Sequence, residues 1–345
     1  MTPPRSTIAL TVFATLAAMA GPSASPAADE AAVEANGRLG RGINLGNALE
    51  APRGQSWGME IRDDYFEQIK RAGFDSVRIP IRWSDYASDR PPYAIDPGFF
   101  EQVDGAIDSA LSRGLTAVIN FHHIEPIYED PAAFRDAFLA LWGQVAERYR
   151  DRPETLVFEI LNEPHANLDA ASWNDLIPEA LGVIRESNPD RVVIVGPAGW
   201  NNFRELDTLE LPDDDRLIVT FHYYEPFPFT HQGAEWNDPV PPVGVEWTGS
   251  DEEQAEVTRA FDRVSSWAEE HGRPIYLGEF GAYNKADMES RARWTALVAR
   301  EAERRGFSWA YWEFGSGFGA FDRESGRWRP ELLRALVPDS PTRGR

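Results

Sequence analysis

The sequence predicts an α/β protein that folds as a single closed (β/α)8 barrel. From Arg41 onward, short apolar runs alternate with longer stretches of helical periodicity, in about eight units. Polar residues follow the carboxyl ends of many of these runs, as expected where a barrel gathers its strand ends at one mouth. No Ser/Pro-rich linker interrupts the repeating part, and barrels of about 250 residues or more routinely form one domain.

Eight apolar runs read in order give the strands of this barrel. They span 41–46, 76–81, 116–122, 155–162, 192–197, 217–223, 274–280 and 308–314. Helical periodicity between them predicts helices at 60–72, 97–113, 132–150, 172–187, 252–271 and 287–305, whereas the fifth unit offers only a turn or two within 203–212. Gly73, Gly114, Gly272 and Gly306 each follow a last helical turn, where a left-handed residue is favoured.

A doubly wound open sheet is the competing fold, because it also alternates strands and helices. An open sheet would spread its strand ends along a line, whereas a barrel collects them around one site. The polar residues at or just beyond the strand ends therefore favour the barrel; they are Asn47, Arg78, His122, Asn162, Glu163, His222, Tyr224, Glu279 and Trp312.

The termini differ in composition from the repeating part. Residues 1–28 contain Arg5, an apolar stretch at 8–20 and then small residues and prolines, which is typical of a secretory signal peptide. The alternative is a membrane anchor, but the apolar stretch is shorter than the roughly 20 residues that a spanning helix needs. We expect a secreted protein with a catalytic barrel at 29–337 and a disordered tail at 338–345.

Charge and composition limit the partners. The net charge is −22 and no basic patch is present, so we expect neither nucleic acid nor an anionic membrane as a partner. A neutral substrate fits this charge. The chain has no cysteine and therefore no disulfide, and we expect a monomer that needs no cofactor.

Two glutamates end two apolar strands. Glu163 lies in FEILNEPH at 158–165, where Pro164 stops the strand, and Glu279 lies in IYLGEFG at 275–281. Cleavage of a glycosidic bond needs one carboxylic acid that protonates the leaving oxygen and a second carboxylate that attacks or stabilises the sugar. A separation of about 5–5.5 Å predicts retention of configuration and about 6.5–9.5 Å predicts inversion.

Several motifs resemble glycoside hydrolase family 5, in the order of that family. They are VRIP at 77–80, NFHH at 120–123, NEP at 162–164, HYYEPFPFTHQGAEW at 222–236, GEFG at 278–281 and AYWEF at 310–314. The chain is especially similar to bacterial endo-β-1,4-glucanases that also accept mannan. The resemblance implies a TIM barrel, a polysaccharide substrate and a retaining mechanism, with Glu163 as acid/base and Glu279 as nucleophile.

The resemblance also assigns the neighbours of these glutamates. Arg78 and Tyr224 are expected to keep Glu279 ionised and aligned, and the charge of Glu279 to raise the pKa of Glu163. Asn162 resembles the family residue that donates to the sugar 2-hydroxyl, and Trp312 resembles the family residue whose ring stacks against the sugar. His122 and His222 resemble the pair that lines the cleaving subsite. The implied sugar contacts are Asn47, Glu50, His123, His231 and Trp236.

Strand parity adds one expectation from the residues alone. If the fourth strand is regular, Glu159 points into the barrel on the same side as Glu163, and Arg78 or Arg41 is its candidate partner.

Other readings remain open. The pair His122 and His123, with His222, suggests a metal site, but adjacent strand residues point to opposite faces, so we expect no metal. A predominantly mannan- or xyloglucan-cleaving enzyme would use the same two glutamates. A non-catalytic carbohydrate-binding barrel is the alternative from another class, although such a protein is expected to have lost one carboxylate.

Overall fold

The strands close into a barrel, because β1 pairs with both β2 and β8. The computed structural model describes residues 28–341, and within them eight parallel strands follow chain order around the barrel. They are β1 (Arg41–Asn44), β2 (Ser76–Ile79), β3 (Thr116–Asn120), β4 (Leu156–Glu159), β5 (Val193–Val195), β6 (Leu217–Tyr223), β7 (Ile275–Phe280) and β8 (Ser308–Tyr311). The predicted (β/α)8 TIM barrel is confirmed, and the open sheet is excluded.

Helices surround the barrel. They are α1 (Glu30–Leu39), α2 (Asp63–Ala72), α3 (Pro97–Leu111), α4 (Glu125–Glu129), α5 (Pro131–Tyr149), α6 (Ala170–Ser187), α7 (Phe227–Thr230), α8 (Asp251–His271), α9 (Met288–Arg304) and α10 (Pro330–Leu336). In the described part of the chain, two 3₁₀ helices lie at Trp83–Tyr86 and Phe203–Thr208, and a short antiparallel hairpin joins β9 (Phe321–Asp322) to β10 (Arg327–Trp328).

Local sequence signals explain most helix ends. Gly73, Gly114, Gly272 and Gly306 all have positive φ, as predicted. At the other end, Ser250 and Glu253 form a capping box on α8. Several strands end before their predicted limits, because their last predicted residues already curve into the loops at the mouth.

Helix α1 closes the bottom of the barrel and was not predicted. Asp29 caps it by accepting a hydrogen bond from the Ala32 amide at 2.9 Å. Ala35 and Leu39 are buried among the apolar side chains that the strands direct into the lower barrel. These side chains are Val118, Val157, Val192, Ile194, Ile218, Tyr276 and Ala310.

Above this apolar layer the barrel interior is polar. Arg78, Glu159 and Asn120 are fully buried and joined by hydrogen bonds across neighbouring strands. The pairing of β6 with β7 shifts register between Phe221 and His222, so that His222 pairs with Glu279. Bulges of this kind re-aim side chains next to active sites.

The predicted terminal segments fall largely outside the described residues. Of the predicted signal peptide at 1–28, the structure describes only Ala28, whose amide donates to the Gly272 carbonyl. Of the predicted disordered tail, the structure describes residues 338–341. These residues differ from the prediction, because they form turns and Ser340 is buried. Among residues 28–341, no helix has the length and apolar character needed to cross a membrane.

Candidate active site

The two glutamates face each other at the barrel mouth. Glu163 follows β4 with a φ of 48°, a value that is uncommon outside glycine and typical of functional turns. Glu279 lies near the end of β7. One carboxylate oxygen from each lies within 4.8 Å of the other. Gly281 allows β7 to approach the β8 loop, because a Cβ there would lie 2.1 Å from the Trp312 carbonyl oxygen.

Glu279 is held by two donors. Nη1 of Arg78 donates to Oε1 at 2.6 Å, and the hydroxyl of Tyr224 donates to Oε2 at 2.9 Å. Burial raises the pKa of Glu279, and Glu163 adds to this, while His222 and Arg78 oppose it. The direct bond from a guanidinium makes Glu279 the carboxyl group that ionises first.

Glu163 has a different environment. Its side chain is a quarter exposed, and Oε1 lies 2.7 Å from Nδ1 of His222. Burial raises the pKa of Glu163 to about 7, with Arg78 lowering it and Glu159 raising it. Burial is therefore the main cause of the raised pKa, rather than the expected charge of Glu279.

A buried ionic network supports the site from below. Arg78 donates from Nε and Nη2 to the two carboxylate oxygens of Glu159 at 2.6 and 2.9 Å. Strand parity therefore placed Glu159 correctly, and its partner is Arg78. Nη2 of Arg78 also donates to Oδ1 of Asn162 at 2.7 Å. Burial alone would lower the pKa of Arg78, and the charges of Glu159 and Glu279 raise it instead.

The histidines of the third strand end stand beside an aromatic floor. The ring of His122 stacks on Trp312 with centroids 5.4 Å apart and planes 1° apart. Burial lowers the pKa of His122 well below its usual range and that of His123 to about 4. Both rings are therefore neutral hydrogen-bonding groups at ordinary pH.

The loop after β6 adds an aromatic wall. His231 meets Tyr224 edge-on at 4.9 Å, and Trp236 lies edge-on to Tyr283 at 4.9 Å. Trp236 is 60% exposed, so its indole face is available to a ligand at the mouth. Burial lowers the pKa of His231 to about 4.

Glu50 requires a correction. It was expected to contact sugar, but it is fully buried, and its carboxylate accepts hydrogen bonds from the backbone amides of Asn47 and Ala48. The loop after β1 folds the side chain back onto its own backbone. Glu50 therefore shapes the loop that carries Asn47, whose side chain remains partly exposed.

Several contributors were missed. Asn44 accepts from Arg78 at 2.9 Å, and Asn120 donates to Glu159 at 3.2 Å. Asn120 precedes His122 by two residues, so strand parity could have found it. Trp57 lies edge-on to His123 at 5.7 Å, and Trp200, which is 57% exposed, stacks on His165 at 5.0 Å. Both tryptophans lie in loops, where periodicity gives no signal.

The two glutamates and His222 together offer potential metal ligands. Among residues 28–341, Glu163, His222 and Glu279 form one group whose donor atoms lie within 4.8 Å of one another. The guanidinium of Arg78 already bonds to Glu279 and would repel a cation. His122 and His123 meet edge to face with centroids 4.7 Å apart, and they are outside this group.

Fold and site together define a (β/α)8 barrel with paired carboxylates at its mouth, which is the arrangement that glycosidic bond cleavage needs. The sequence model of the cellulase family, glycosyl hydrolase family 5, matches residues 36–317. This chain belongs to glycosyl hydrolase family 5.

Individual relatives agree with this assignment. Endoglucanase H of Acetivibrio thermocellus is 39% identical over 306 residues, which are 87% of this chain and 33% of that protein. The chain thus spans about a third of the length of Endoglucanase H. Structures of Thermotoga maritima Cel5A in complex with cellobiose and with mannotriose are each 51% identical, with TM-scores of 0.87, and cover 88% of this chain and 99% of that one.

Proposed function

We propose that this protein is a secreted, retaining endo-β-1,4-glucanase that hydrolyses β-1,4-glucans by double displacement. The observation that carries the proposal is the approach of the Glu163 and Glu279 carboxylates to within 4.8 Å. Oxygens this close leave less than the about 6.5–9.5 Å gap that admits an inverting water, which supports the closer arrangement of about 5–5.5 Å in retaining enzymes.

In the first step an oxygen of Glu279 attacks the anomeric carbon and the bond to the leaving oxygen breaks. Glu163 gives its proton to that oxygen, so the sugar chain leaves as an alcohol. Arg78 and Tyr224 supply the charge and alignment that keep Glu279 nucleophilic. Arg78 also binds Oδ1 of Asn162, which leaves the amide Nδ2 to donate to the sugar 2-hydroxyl.

In the second step water hydrolyses the glycosyl-enzyme. Glu163, now ionised, takes a proton from the water, whose oxygen attacks the anomeric carbon and releases Glu279. While the ester exists, Glu279 carries no charge, and the loss of this nearby negative charge favours the ionised form of Glu163 that acts as the base.

Mannan is a second substrate in this proposal. Its support is the solved complex of Thermotoga maritima Cel5A with mannotriose, a protein 51% identical to this chain. Trp312 and Trp236 offer apolar faces that accept either sugar epimer.

A substrate panel with product analysis tests the activity. We expect release of mixed oligosaccharides from carboxymethyl cellulose, barley glucan and glucomannan, and ¹H NMR of early products should show the β-anomer first. Release of oligosaccharides from mannan alone would identify a mannanase rather than a glucanase. Initial formation of the α-anomer would exclude the retaining mechanism. Binding without hydrolysis would favour a non-catalytic barrel.

Export is the last part of the proposal, and it rests on the composition of residues 1–28. Expression of the full chain in a secreting bacterium should release protein whose N-terminus lies between residues 21 and 29. Recovery of uncleaved protein only inside the cells would contradict export. The barrel is expected to act as a monomer, which sedimentation analysis would test.

A further inference from the structure

One glutamine side chain is buried in the long loop that connects β6 to α8. Gln232 is 1% exposed, although many of its neighbours in this loop are exposed. The loop leaves the barrel along residues 231–236, which we call the outgoing segment, and comes back along residues 241–245, the return segment. Trp236 ends the outgoing segment, and its indole is largely exposed at the mouth.

The side-chain amide of Gln232 uses all of its hydrogen-bonding positions on backbone groups. Its Nε2 donates to the carbonyl oxygens of Phe229 at 3.1 Å and Val245 at 2.7 Å. Its Oε1 accepts from the backbone amides of Gly244 at 2.8 Å and Val245 at 3.1 Å. A primary amide has two donors and two acceptor sites, so the set is complete. These hydrogen bonds, which we call the Gln232 clamp, join the start of the loop to the return segment.

The hydrogen-bond pattern requires an amide at this position. Turning the amide over would point Nε2 at two N–H groups and Oε1 at two carbonyl oxygens, so the orientation of the side chain is fixed. Gln232→Glu would bury an ionised oxygen against the carbonyl oxygens of Phe229 and Val245, which is unfavourable. The chemistry of the side chain therefore matches the backbone groups that it joins.

The two segments also lie in direct contact beside the clamp. The Gly233 amide donates to the Pro241 carbonyl at 2.8 Å. Gly233 has a φ of 63°, and a Cβ at this position would lie 2.6 Å from Cγ1 of Val243, so glycine lets the return segment pack closely. Trp236 lies on the stretch between Gly233 and Pro241, and both ends of that stretch are thus held together.

The side-chain contacts that tie this stretch to the loop after β7 lie at the surface. Glu235 accepts from the Tyr283 hydroxyl at 3.0 Å and pairs with Lys285 at 3.4 Å. The side chains of this ion pair are 62% and 46% exposed. Exposed ion pairs contribute little to stability, whereas hydrogen bonds to a buried amide are strengthened by the less polar surroundings. The Gln232 clamp is therefore the stronger constraint on the loop.

A loop that is already ordered has a consequence for sugar binding. A sugar that must first order a mobile indole loses part of its binding free energy, whereas a fixed indole avoids this loss. The two catalytic carboxylates are held by Arg78, Tyr224 and His222, and the clamp bonds to none of these residues. The clamp is therefore expected to act on binding and not on the bond-breaking step.

We propose that Gln232 is a positioning residue that clamps the loop after β6 and holds the Trp236 indole in place for an incoming sugar. Gln232 acts through Trp236, because its own amide is buried and fully bonded to the backbone. The proposal rests on the proposed function, in which Trp236 offers its face to a sugar of the polysaccharide.

Kinetics of the full chain on barley glucan test the proposal. Gln232→Ala should raise KM about threefold with kcat nearly unchanged, because the indole is present but no longer fixed. In the Trp236→Ala background the same substitution should raise KM no further, since the two residues act as one unit. The proposal is overturned by an unchanged KM in Gln232→Ala, by an equal rise in both backgrounds, or by a fall in kcat as large as the rise in KM.

Gln144→Ala is the matched control. Gln144 on α5 also clamps a loop, because its amide accepts from the Ile95 amide at 2.9 Å and donates to the Tyr93 carbonyl at 3.0 Å. The proposed sugar contacts lie outside that loop, so Gln144→Ala should leave KM and kcat unchanged. A rise in KM equal to that of Gln232→Ala would mean that any lost loop clamp weakens binding, and it would overturn the specific role of Gln232.

Two further measurements need no substrate. In protein labelled with 5-fluorotryptophan, the ¹⁹F resonance of Trp236, assigned from Trp236→Phe, should move toward that of the free amino acid in Gln232→Ala and stay in place in Gln144→Ala. In the wild-type protein, the Gly244 and Val245 amides should be protected from hydrogen exchange. Exchange of these amides at the rate of an unstructured peptide overturns the proposal, even if Gln232→Ala does not fold.

These results separate the clamp from the proposed function. Absence of hydrolysis of every polysaccharide by the wild-type protein would remove the proposed function, whereas an unmoved fluorine resonance in Gln232→Ala would remove the clamp. An unchanged KM in Trp236→Ala would remove the sugar-binding role of Trp236, and the role of Gln232 with it. A raised KM in Trp236→Ala beside an unchanged KM in Gln232→Ala would remove only the positioning role.

Discussion

At the scale of single residues, two glutamate carboxyl groups take different roles because their neighbours differ. Glu279 accepts hydrogen bonds from the guanidinium of Arg78 and the phenol of Tyr224. Glu163 lies beside the imidazole of His222, whose pKa burial lowers to about 4, and burial also raises the pKa of Glu163 itself. The charged form is therefore favoured at Glu279 and the protonated form at Glu163. The difference predicts how activity depends on pH.

The first prediction concerns the alkaline limb of the pH profile. Glu163 must carry its proton when substrate binds, and its pKa is about 7, so kcat/KM on phenyl cellobioside should fall as pH rises through about 7. The limb should be absent from Glu163→Gln. An alkaline limb with the same midpoint in Glu163→Gln would assign it to another group.

The second prediction concerns the buried ion pair below the site. Glu159→Gln removes the charge that faces Arg78, and breaking such a pair from one side costs about 3–5 kcal/mol. We expect lower thermal stability and lower activity, measured by calorimetry and turnover.

Glu179→Gln is the matched control, because Glu179 pairs with Arg135 at 2.5 Å on the surface and a surface pair contributes about 0–1 kcal/mol. Normal melting and normal turnover of Glu159→Gln would refute a structural and functional role for this pair.

At the scale of elements, the strand ends explain which site residues the sequence could predict. Glu163, Glu279 and Arg78 lie on or beyond the carboxyl-terminal parts of their strands, so strand order gathers them at the mouth. Parity alone does not orient Glu279, because the register shifts between β6 and β7. The prediction for Glu50 was wrong for a different reason. The loop after β1 turns back on itself, and the sequence does not show that two backbone amides donate to the Glu50 carboxylate. Trp57 and Trp200 were missed because they also lie in loops, where periodicity gives no signal.

The loop after β6 carries the third prediction. Trp236→Ala removes an exposed aromatic face, so KM on soluble glucan should rise on the order of tenfold, about 1.4 kcal/mol, with kcat nearly unchanged. Val243→Ala, in the same loop and 64% exposed, should leave both parameters unchanged. Equal effects of the two substitutions would mean that the loop, rather than the indole, matters.

Helix α1 carries the fourth prediction. Leu39 is fully buried at the bottom of the barrel, so Leu39→Ala should lower the free energy of unfolding by about 2–5 kcal/mol in denaturant titrations. Val33 lies on the same helix and is 56% exposed, so Val33→Ala should change it by no more than about 0.5 kcal/mol. Equal stability of the two variants would contradict a closing role for α1.

At the scale of the whole molecule, stability and function lie at opposite ends of the barrel. Helix α1 and the apolar layer close the bottom, the network around Arg78 fills the middle, and the carboxylates occupy the mouth. The alternation of apolar runs predicted this architecture, because each strand must bury both faces. The sequence could not predict the distance between the carboxylates, because that depends on closure and on the turn at Glu163.

The double displacement is the central claim, and trapping its intermediate tests it most directly. Wild-type protein incubated with 2,4-dinitrophenyl 2-deoxy-2-fluoro-cellobioside should gain the mass of one fluorinated cellobiosyl group. Fragmentation of its peptides should place that group on Glu279, and Glu279→Gln should gain none. A label on Glu163, or full hydrolysis of glucan by Glu279→Gln, would contradict the account.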